Sequence, residues 1–226
     1  MAKINSINNR SSQLTIDPGA SGDSYIQLDI NSSAKFILGI DDDDGDSFKI
    51  SAGSDLGANN TFKMTAAGER IMPLQSAFLA YLGTTDSNVT GNSTVFQVGS
   101  GNALTEVFDQ NGDFNTNGTF TAPVTGRFYL NAIVLFDDLS ATPFTVGNAF
   151  SRMRITTSNR LYVSGICNGG NSQSSGQLSI NISIFADMDA SDTATFSCTV
   201  SGEGADTVDV VGSATVSTMF CGYLTC

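Results

Sequence analysis

Short stretches in which apolar and polar residues alternate run through the first 72 residues of the chain. In one of them Ile26, Leu28 and Ile30 alternate with polar residues, and in another Phe62 and Met64 flank Lys63. A period of two is typical of a β-strand with one apolar face. The pattern predicts strands at 14–16, 25–30, 35–40, 47–50 and 61–65.

A sheet built from such short strands has an apolar face that must be covered and little core of its own. Small units of this kind are commonly stable only when several copies pack around a shared axis. We therefore predict a β-rich stem at residues 21–72 that associates with other copies. Residues 1–20 precede it as an N-terminal anchor or arm.

After Pro73 the chain changes to longer and more apolar strands, so residues 73–226 are predicted to form a separate head. The segments 84–92, 137–147 and 168–176 are rich in Gly, Ser, Thr and Asn and are predicted to be loops. About ten strands separated by turns indicate a jelly-roll sandwich, and the fold class is all-β. The predicted strands lie near 77–82, 94–98, 105–108, 118–122, 126–136, 149–157, 160–166, 176–186, 193–201 and 212–224.

Composition agrees with this fold class and excludes two kinds of partner. The chain of 226 residues has 23 glycines and a net charge of −12. It has no basic stripe to replace counterions along a phosphate backbone, so nucleic acid is excluded as a partner. It has no apolar run approaching about 18 residues, which excludes membrane insertion. The first ten residues also lack the apolar core of a signal peptide.

The residues needed for common catalytic chemistry are missing. The chain contains no histidine, so neither a Ser-His-Asp nor a Cys-His arrangement can form. Asp137 with Asp138 and Asp187 with Asp189 are neighbouring acids of the type used by glycosidases. Because adjacent acids on turns are usually solvated, we predict a non-enzyme without a cofactor.

One acidic turn invites a calcium interpretation. Asp42, Asp44 and Asp46 lie around Gly45, and clustered carboxylates on such a turn suit hard cations. The spacing fails the known calcium loop because position 40 is Ile and the closing Glu is replaced by Ser51. A solvated acidic turn is therefore favoured over a calcium site, and the three aspartates remain the metal candidates.

The cysteines and arginines each leave two interpretations open. The cysteines at 167, 198, 221 and 226 form no C-x-x-C pair; buried free thiols are favoured, with a disulfide or an interchain bond through Cys226 as the alternative. Arg152, Arg154 and Arg160 cluster on adjoining predicted strands. Salt bridges to nearby acids are the favoured interpretation, and contact with an anionic glycan or a neighbouring capsid protein is the alternative.

Several motifs, in order, resemble the complement one-q globular-head family and its tumour-necrosis-factor-like relatives. The motifs are 77–82 (AFLAYL), 108–114 (FDQNGDF), 118–130 (GTFTAPVTGRFYL) and the closing stretch 217–224 (STMFCGYL). The resemblance covers about residues 76–226 and implies a ten-stranded jelly roll that assembles as a compact homotrimer. The residues that it assigns to core or trimer packing are Phe78, Tyr81, Phe120, Phe128, Tyr129, Phe220 and Tyr223.

The stem has a resemblance of its own. The segments 36–41 (FILGID), 47–51 (SFKIS) and 61–69 (TFKMTAAGE) look like the β-rich regions of phage and algal-virus tail fibres. No collagen-type repeat precedes the head, so an animal complement role is not indicated. We therefore expect a virion component, assembled in the host cytoplasm.

Three functional hypotheses follow from these predictions. In the leading one, a trimeric fibre, appendage or spike docks on other virion proteins through its N-terminal segment and attaches to a host glycan or protein. In the second, the trimer decorates and cements a capsid. In the third, the chain is a soluble lectin-like recognition module.

Overall fold

The computed structural model describes residues 15–19, 21–139, 150–167 and 176–225. The chain divides into two compact units, Met1–Leu74 and Gln75–Cys226, close to the predicted boundary after residue 72. Most of the predicted anchor at 1–20 lies outside the described residues. Its described part, 15–19, has no regular secondary structure.

The first unit is an antiparallel sheet whose strands follow one another in chain order. The strands predicted at 25–30, 35–40, 47–50 and 61–65 are present, whereas Thr15 and Ile16 belong to no strand. A fifth strand, at residues 70–71, was not predicted. The five strands are β1 (Ser24–Ile30), β2 (Ser33–Asp41), β3 (Ser47–Ala52), β4 (Asn60–Met64) and β5 (Arg70–Ile71).

One face of this first sheet is apolar from strand to strand. The pairing register places Ile26 opposite Leu38, Leu38 opposite Ile50 and Ile50 opposite Phe62, which makes one row across four strands. Further rows contain Leu28 with Phe36, and Ile40 with Phe48 and Met64. None of these side chains is fully buried. Among the described residues, this apolar face of the first unit is thus partly open to solvent.

The second unit contains two antiparallel sheets, of seven and six strands among the described residues. The larger sheet contains β6 (Ala77–Leu82), β7 (Asp86–Thr90), β9 (Leu104–Asp109), β12 (Gly126–Asp137), β15 (Leu178–Met188), β17 (Val208–Val210) and β18 (Met219–Leu224). The smaller contains β8 (Val95–Gln97), β10 (Phe114–Asn115), β11 (Thr119–Thr121), β13 (Phe150–Thr157), β14 (Leu161–Cys167) and β16 (Thr193–Ser201).

The strand order is that of a jelly roll. In the larger sheet β12 pairs with β15 along one side and with β18 and β17 along the other, and β18 then pairs with β6. In the smaller sheet β16 pairs with β13, and β13 pairs with β14. Strands that are consecutive in the chain thus often belong to different sheets, as in Greek-key sandwiches. The predicted all-β jelly-roll sandwich is confirmed.

The core lies between the two sheets and is rich in phenylalanine. Phe78 is stacked between Phe114 and Phe120, with ring centroids 4.7 and 4.9 Å away. Phe220 meets Phe78 edge-on at 5.1 Å and also contacts Phe196. Fully burying one such side chain contributes about 2 kcal/mol, so this cluster is a large part of the stability of the second unit.

The second unit differs from the prediction at its shortest strands. β7, in a segment predicted to be a loop, pairs with β17, which the prediction also missed. β10 lies between the strands predicted near 105–108 and 118–122. The strand expected at 212–224 begins only at Met219, because Ser213 to Thr218 form turns and loop contacts. The predicted loops at 137–147 and 168–176 lie mostly outside the described residues.

Candidate functional site

The outward face of the larger sheet carries a row of three aromatic side chains. Tyr129 on β12 is paired with Phe185 on β15 and with Tyr223 on β18. The ring centroid of Tyr129 lies 5.4 Å from that of each neighbour. Phe185 is 66% exposed and Tyr223 is 47% exposed. The row is therefore aromatic, ordered by strand pairing and open to solvent.

The apolar character of this face continues along the same strands. One residue pair further along β12, Asn131 lies opposite Cys221, and Cys221 lies opposite Leu79 on β6. Beyond it, Ile133 lies opposite Met219, which in turn lies opposite Tyr81. The Asn131 amide donates to Ser183 Oγ at 2.5 Å, so its polar group is satisfied within the sheet. We refer to the outward side chains of β6, β12, β15 and β18 as the aromatic face.

The structure divides the residues that the sequence assigned to core or trimer packing. Phe78, Phe120, Phe128 and Phe220 are buried between the sheets. Tyr81, Tyr129 and Tyr223 belong instead to the aromatic face. The division follows from strand alternation, because neighbouring positions on β18 and on β12 point to opposite sides of the sheet.

Two lysine side chains form ion pairs with the aspartates of the acidic turn in the first unit. Lys49 Nζ lies 2.6 Å from Asp41 Oδ2 and 2.6 Å from Asp44 Oδ2, and Lys63 Nζ lies 2.7 Å from Asp44. Asp41 also accepts from the Asp43 backbone N–H at the start of a short 3-10 helix, Asp42–Asp44.

Of the metal candidates, Asp42 and Asp46 are exposed and belong to none of the ion pairs found within the described residues. No group of three acidic, cysteine or histidine side chains in the described part of the chain is arranged to hold a metal ion. The two ammonium groups supply the positive charge that a calcium ion would otherwise provide.

The ion pairs shift the ionisation of the groups that form them. Hydrogen bonds from Lys49 and Lys63 lower the pKa of Asp44 from 3.8 to about 2. Burial opposes the charged form of Lys49, but its hydrogen bonds to Asp41 and Asp44 outweigh burial and raise its pKa. Asp44 and Lys49 therefore remain charged across the neutral range.

Two of the cysteines have described side chains, and both are free thiols. Cys198 is fully buried in the core, and burial raises its pKa strongly. Cys221 lies on the aromatic face, where partial burial also raises its pKa. The Cys167 side chain and Cys226 lie outside the described residues. A thiol with a raised pKa is a poor nucleophile at neutral pH.

The carboxylate pairs considered for glycosidase chemistry lie at strand ends, Asp137 and Asp138 at the end of β12 and Asp187 and Asp189 at the end of β15. Asp137 accepts from Gln177 Nε2 at 3.2 Å and from the Asp138 backbone N–H at 2.9 Å. Asp189, beside the start of β12, accepts from Thr125 Oγ1 at 3.4 Å. These contacts stabilise the chain at the strand ends.

Sequence analysis missed two parts of this picture. Phe185 was not singled out, although it is the one large aromatic among the outward positions of β15, where Ser179, Asn181 and Ser183 precede it. Lys49 and Lys63 were not connected with the acidic turn either. A signal for them was available, because a lysine within an apolar strand needs a buried partner, and aspartates were the nearest candidates in the chain.

Comparison with solved structures finds similarity over about two thirds of the chain. Murine APRIL, solved at pH 8.5, is 13% identical, with a TM-score of 0.44 over 67% of this chain and 99% of its own. The globular domain of zebrafish complement 1qA protein is 14% identical, with a TM-score of 0.44 over 67% of this chain and 98% of its own. These are the types of structure that the motifs of residues 76–226 resemble.

No protein-family model and no curated protein matches the chain. The description of the second unit as a jelly roll rests on its own strand order.

Proposed function

We propose that the chain is a non-enzymatic protein that forms homotrimers through the aromatic face and serves as a structural and recognition module. The observation that carries the proposal is the exposed row of Phe185, Tyr129 and Tyr223. Contiguous exposed apolar surface of this kind marks interaction sites in soluble proteins. Aromatic side chains also contribute most of the binding energy in protein interfaces.

The other sheet of the head supports the assignment of this face. On β16 the outward positions are Thr195, Ser197, Thr199 and Ser201, and the neighbouring strand presents arginines. The strand pair β13 and β16 thus presents mainly hydroxyl and guanidinium groups, whereas the larger sheet presents its aromatic row. An interface between copies is favoured on the aromatic side, because burial there removes apolar rather than polar groups from water.

The apolar face of the first unit supports association of the stem as well. Its rows of isoleucine, leucine and phenylalanine stay partly or largely exposed within the described residues. Copies of the stem would cover one another's apolar rows. Three copies, rather than two, are proposed because the globular-head family that residues 76–226 resemble assembles as homotrimers.

The finer proposal is a virion appendage that attaches to a host. Residues 1–20 would dock on other virion proteins, 21–72 would form the stem, and the head would project outward. Support comes from the segments of the stem that resemble tail fibres. The acidic composition also supports it, because it favours solubility at high copy number. Weak contacts repeated over three heads and many fibres would provide avidity.

Light scattering of the purified full chain tests the association. The expected result is a native mass three times that of the 23.6 kDa chain across the accessible concentration range. A monomer would overturn both the association and the attachment proposal. A trimer that is absent from purified particles would leave the association standing and would favour a soluble recognition module.

Particle assays separate the two virion hypotheses. Particles that lack the protein are expected to adsorb poorly to host cells while keeping their thermal stability. If the particles adsorb normally but lose their genomes on mild heating, the protein cements the capsid instead.

A further inference from the structure

Two arginines lie side by side on the outward face of the smaller sheet. Arg152 and Arg154 alternate along β13 with Met153 and Ile155, which are both buried in the core. Side chains two positions apart on a strand share a face and are separated by about 7 Å along the strand. The sheet therefore presents two guanidinium groups in one direction.

The described acids do not neutralise this pair. All acidic side chains of the chain lie within the described residues, although the net charge is −12. Each ion pair that these described residues form involves Lys49 or Lys63 of the first unit. The sequence favoured salt bridges from these arginines to nearby acids. That interpretation is therefore wrong for Arg152 and Arg154. Arg160 lies apart from them in the turn before β14.

The position of Arg152 is fixed by its neighbours. Its Cζ lies 3.9 Å from the centre of the Phe150 ring on the same face. Its aliphatic part lies against Gly165 on β14, where an added Cβ would come within 2.8 Å of Arg152 Cγ. A guanidinium that stacks on an aromatic ring keeps its planar donors available to a ligand.

A row of hydroxyl side chains runs beside the arginines on β16. Thr199 is paired with Arg152, and Ser197 is paired with Arg154. Thr199 is 2% exposed, and its Oγ1 has no hydrogen-bond partner among the described residues. A buried hydroxyl without a partner is destabilising by itself, and a ligand that bonds to it would remove that penalty.

We propose that Arg152, Arg154, Ser197 and Thr199 form a binding site for an acidic polysaccharide that carries sugar carboxylates. The planar guanidinium groups match carboxylates, with which they form paired charge-assisted hydrogen bonds. The hydroxyl row suits a ligand that is itself rich in hydroxyl groups. The site belongs to one protomer and does not depend on how copies associate.

Calorimetry tests the site by measuring binding of an oligogalacturonate to the full chain. The salt concentration is about 0.15 M, because distant carboxylates of the protein are then largely screened. The double variant R152Q/R154Q is expected to bind at least about tenfold more weakly, since charged hydrogen bonds are lost. The matched control R70Q/R160Q changes the net charge equally at two exposed arginines and is expected to bind as the parent does.

Three results would overturn the proposal. They are a parent chain that does not bind the oligogalacturonate, equal weakening in both double variants, and tighter binding of oligoglutamate than of the sugar. The last result would assign the site to an acidic protein. Unchanged thermal unfolding and native mass in both variants would show that the substitutions act on the site and not on the fold.

Discussion

The ring of Phe185 lies directly opposite that of Tyr129 on the outward surface of the head, with the centroids 5.4 Å apart. An aromatic pair held in register by two hydrogen-bonded strands loses little side-chain entropy when a partner covers it. The pair is therefore well placed to contribute strongly to association between copies.

The F185S variant is expected to shift the native mass from trimer toward monomer, because an exposed aromatic anchor is lost without disturbing the core. Light scattering over a dilution series measures the shift. L161S is the matched control, since Leu161 is 57% exposed and lies on the other sheet. Equal dissociation in both variants, or in neither, would place the interface elsewhere.

The K49M variant is expected to destabilise the first unit by about 3 kcal/mol, because Asp41 would remain buried without its counter-charge. Hydrogen exchange of the β2 and β3 backbone amides in the full chain measures the loss. K35M removes an exposed lysine of the same unit and should leave exchange unchanged. If K49M exchanged as slowly as the parent chain, the buried ion pair would not stabilise the unit.

Acid should weaken the first unit within a defined range. The pKa of Asp44 is lowered to about 2 in the folded chain from an ordinary value of 3.8. Its contribution to stability is thus complete above pH 3.8 and is lost as the pH falls toward 2. Hydrogen exchange of β3 between pH 5 and pH 2 follows the loss, corrected for the intrinsic exchange rate. D44N should flatten the profile in this range, and an unchanged profile would contradict the assignment.

Gly222 has no room for a side chain. A Cβ at this position would lie 2.6 Å from Leu130 Cδ2 and 2.9 Å from both Phe78 Cε1 and the Tyr129 carbonyl oxygen. G222A should therefore destabilise the second unit by about 1–3 kcal/mol through overpacking, as measured by urea unfolding. In the control, G204A, the added methyl group meets no atom within 4 Å, and its stability should match that of the parent.

Alkylation should distinguish the described cysteines. At pH 8, iodoacetamide is expected to leave Cys198 unmodified, since burial raises its pKa, and to modify Cys221 slowly. In F185S, where the aromatic face is uncovered, Cys221 should react faster while Cys198 stays protected. Peptide mass spectrometry gives the rate at each position. An unchanged Cys221 rate in a monomeric F185S would show that the interface does not cover this thiol.

The sequence predicted the strands that have clear periodicity and missed those that depend on distant partners. The burial of β12 alternates over its whole length, but the sequence did not separate its two faces because residues 132–136 form a continuous apolar run. β7 depends on pairing with β17, more than a hundred residues away, and β17 pairs in addition with β12. The β10 strand lies between two predicted strands and pairs with β11 over only two residues.

In the candidate sites too, local sequence patterns were informative and contacts between distant residues were not. The alternation within β18 placed Tyr223 outward and Phe220 inward once the strand was known. The buried ion pair of Lys49 with Asp41 depends on β2 and β3 being neighbours, which the charges alone do not reveal. The arginine site required knowing that Arg152 and Arg154 form no ion pair with the described acids.

The position of β18 between β12 and β6 has a consequence for synthesis on the ribosome. β18 is translated after every other strand of the head, yet it occupies the middle of the larger sheet. Until it emerges, β12 and β6 have unpaired edges, and the Phe78 cluster lacks Phe220. Prematurely terminated chains should therefore have aggregation-prone heads.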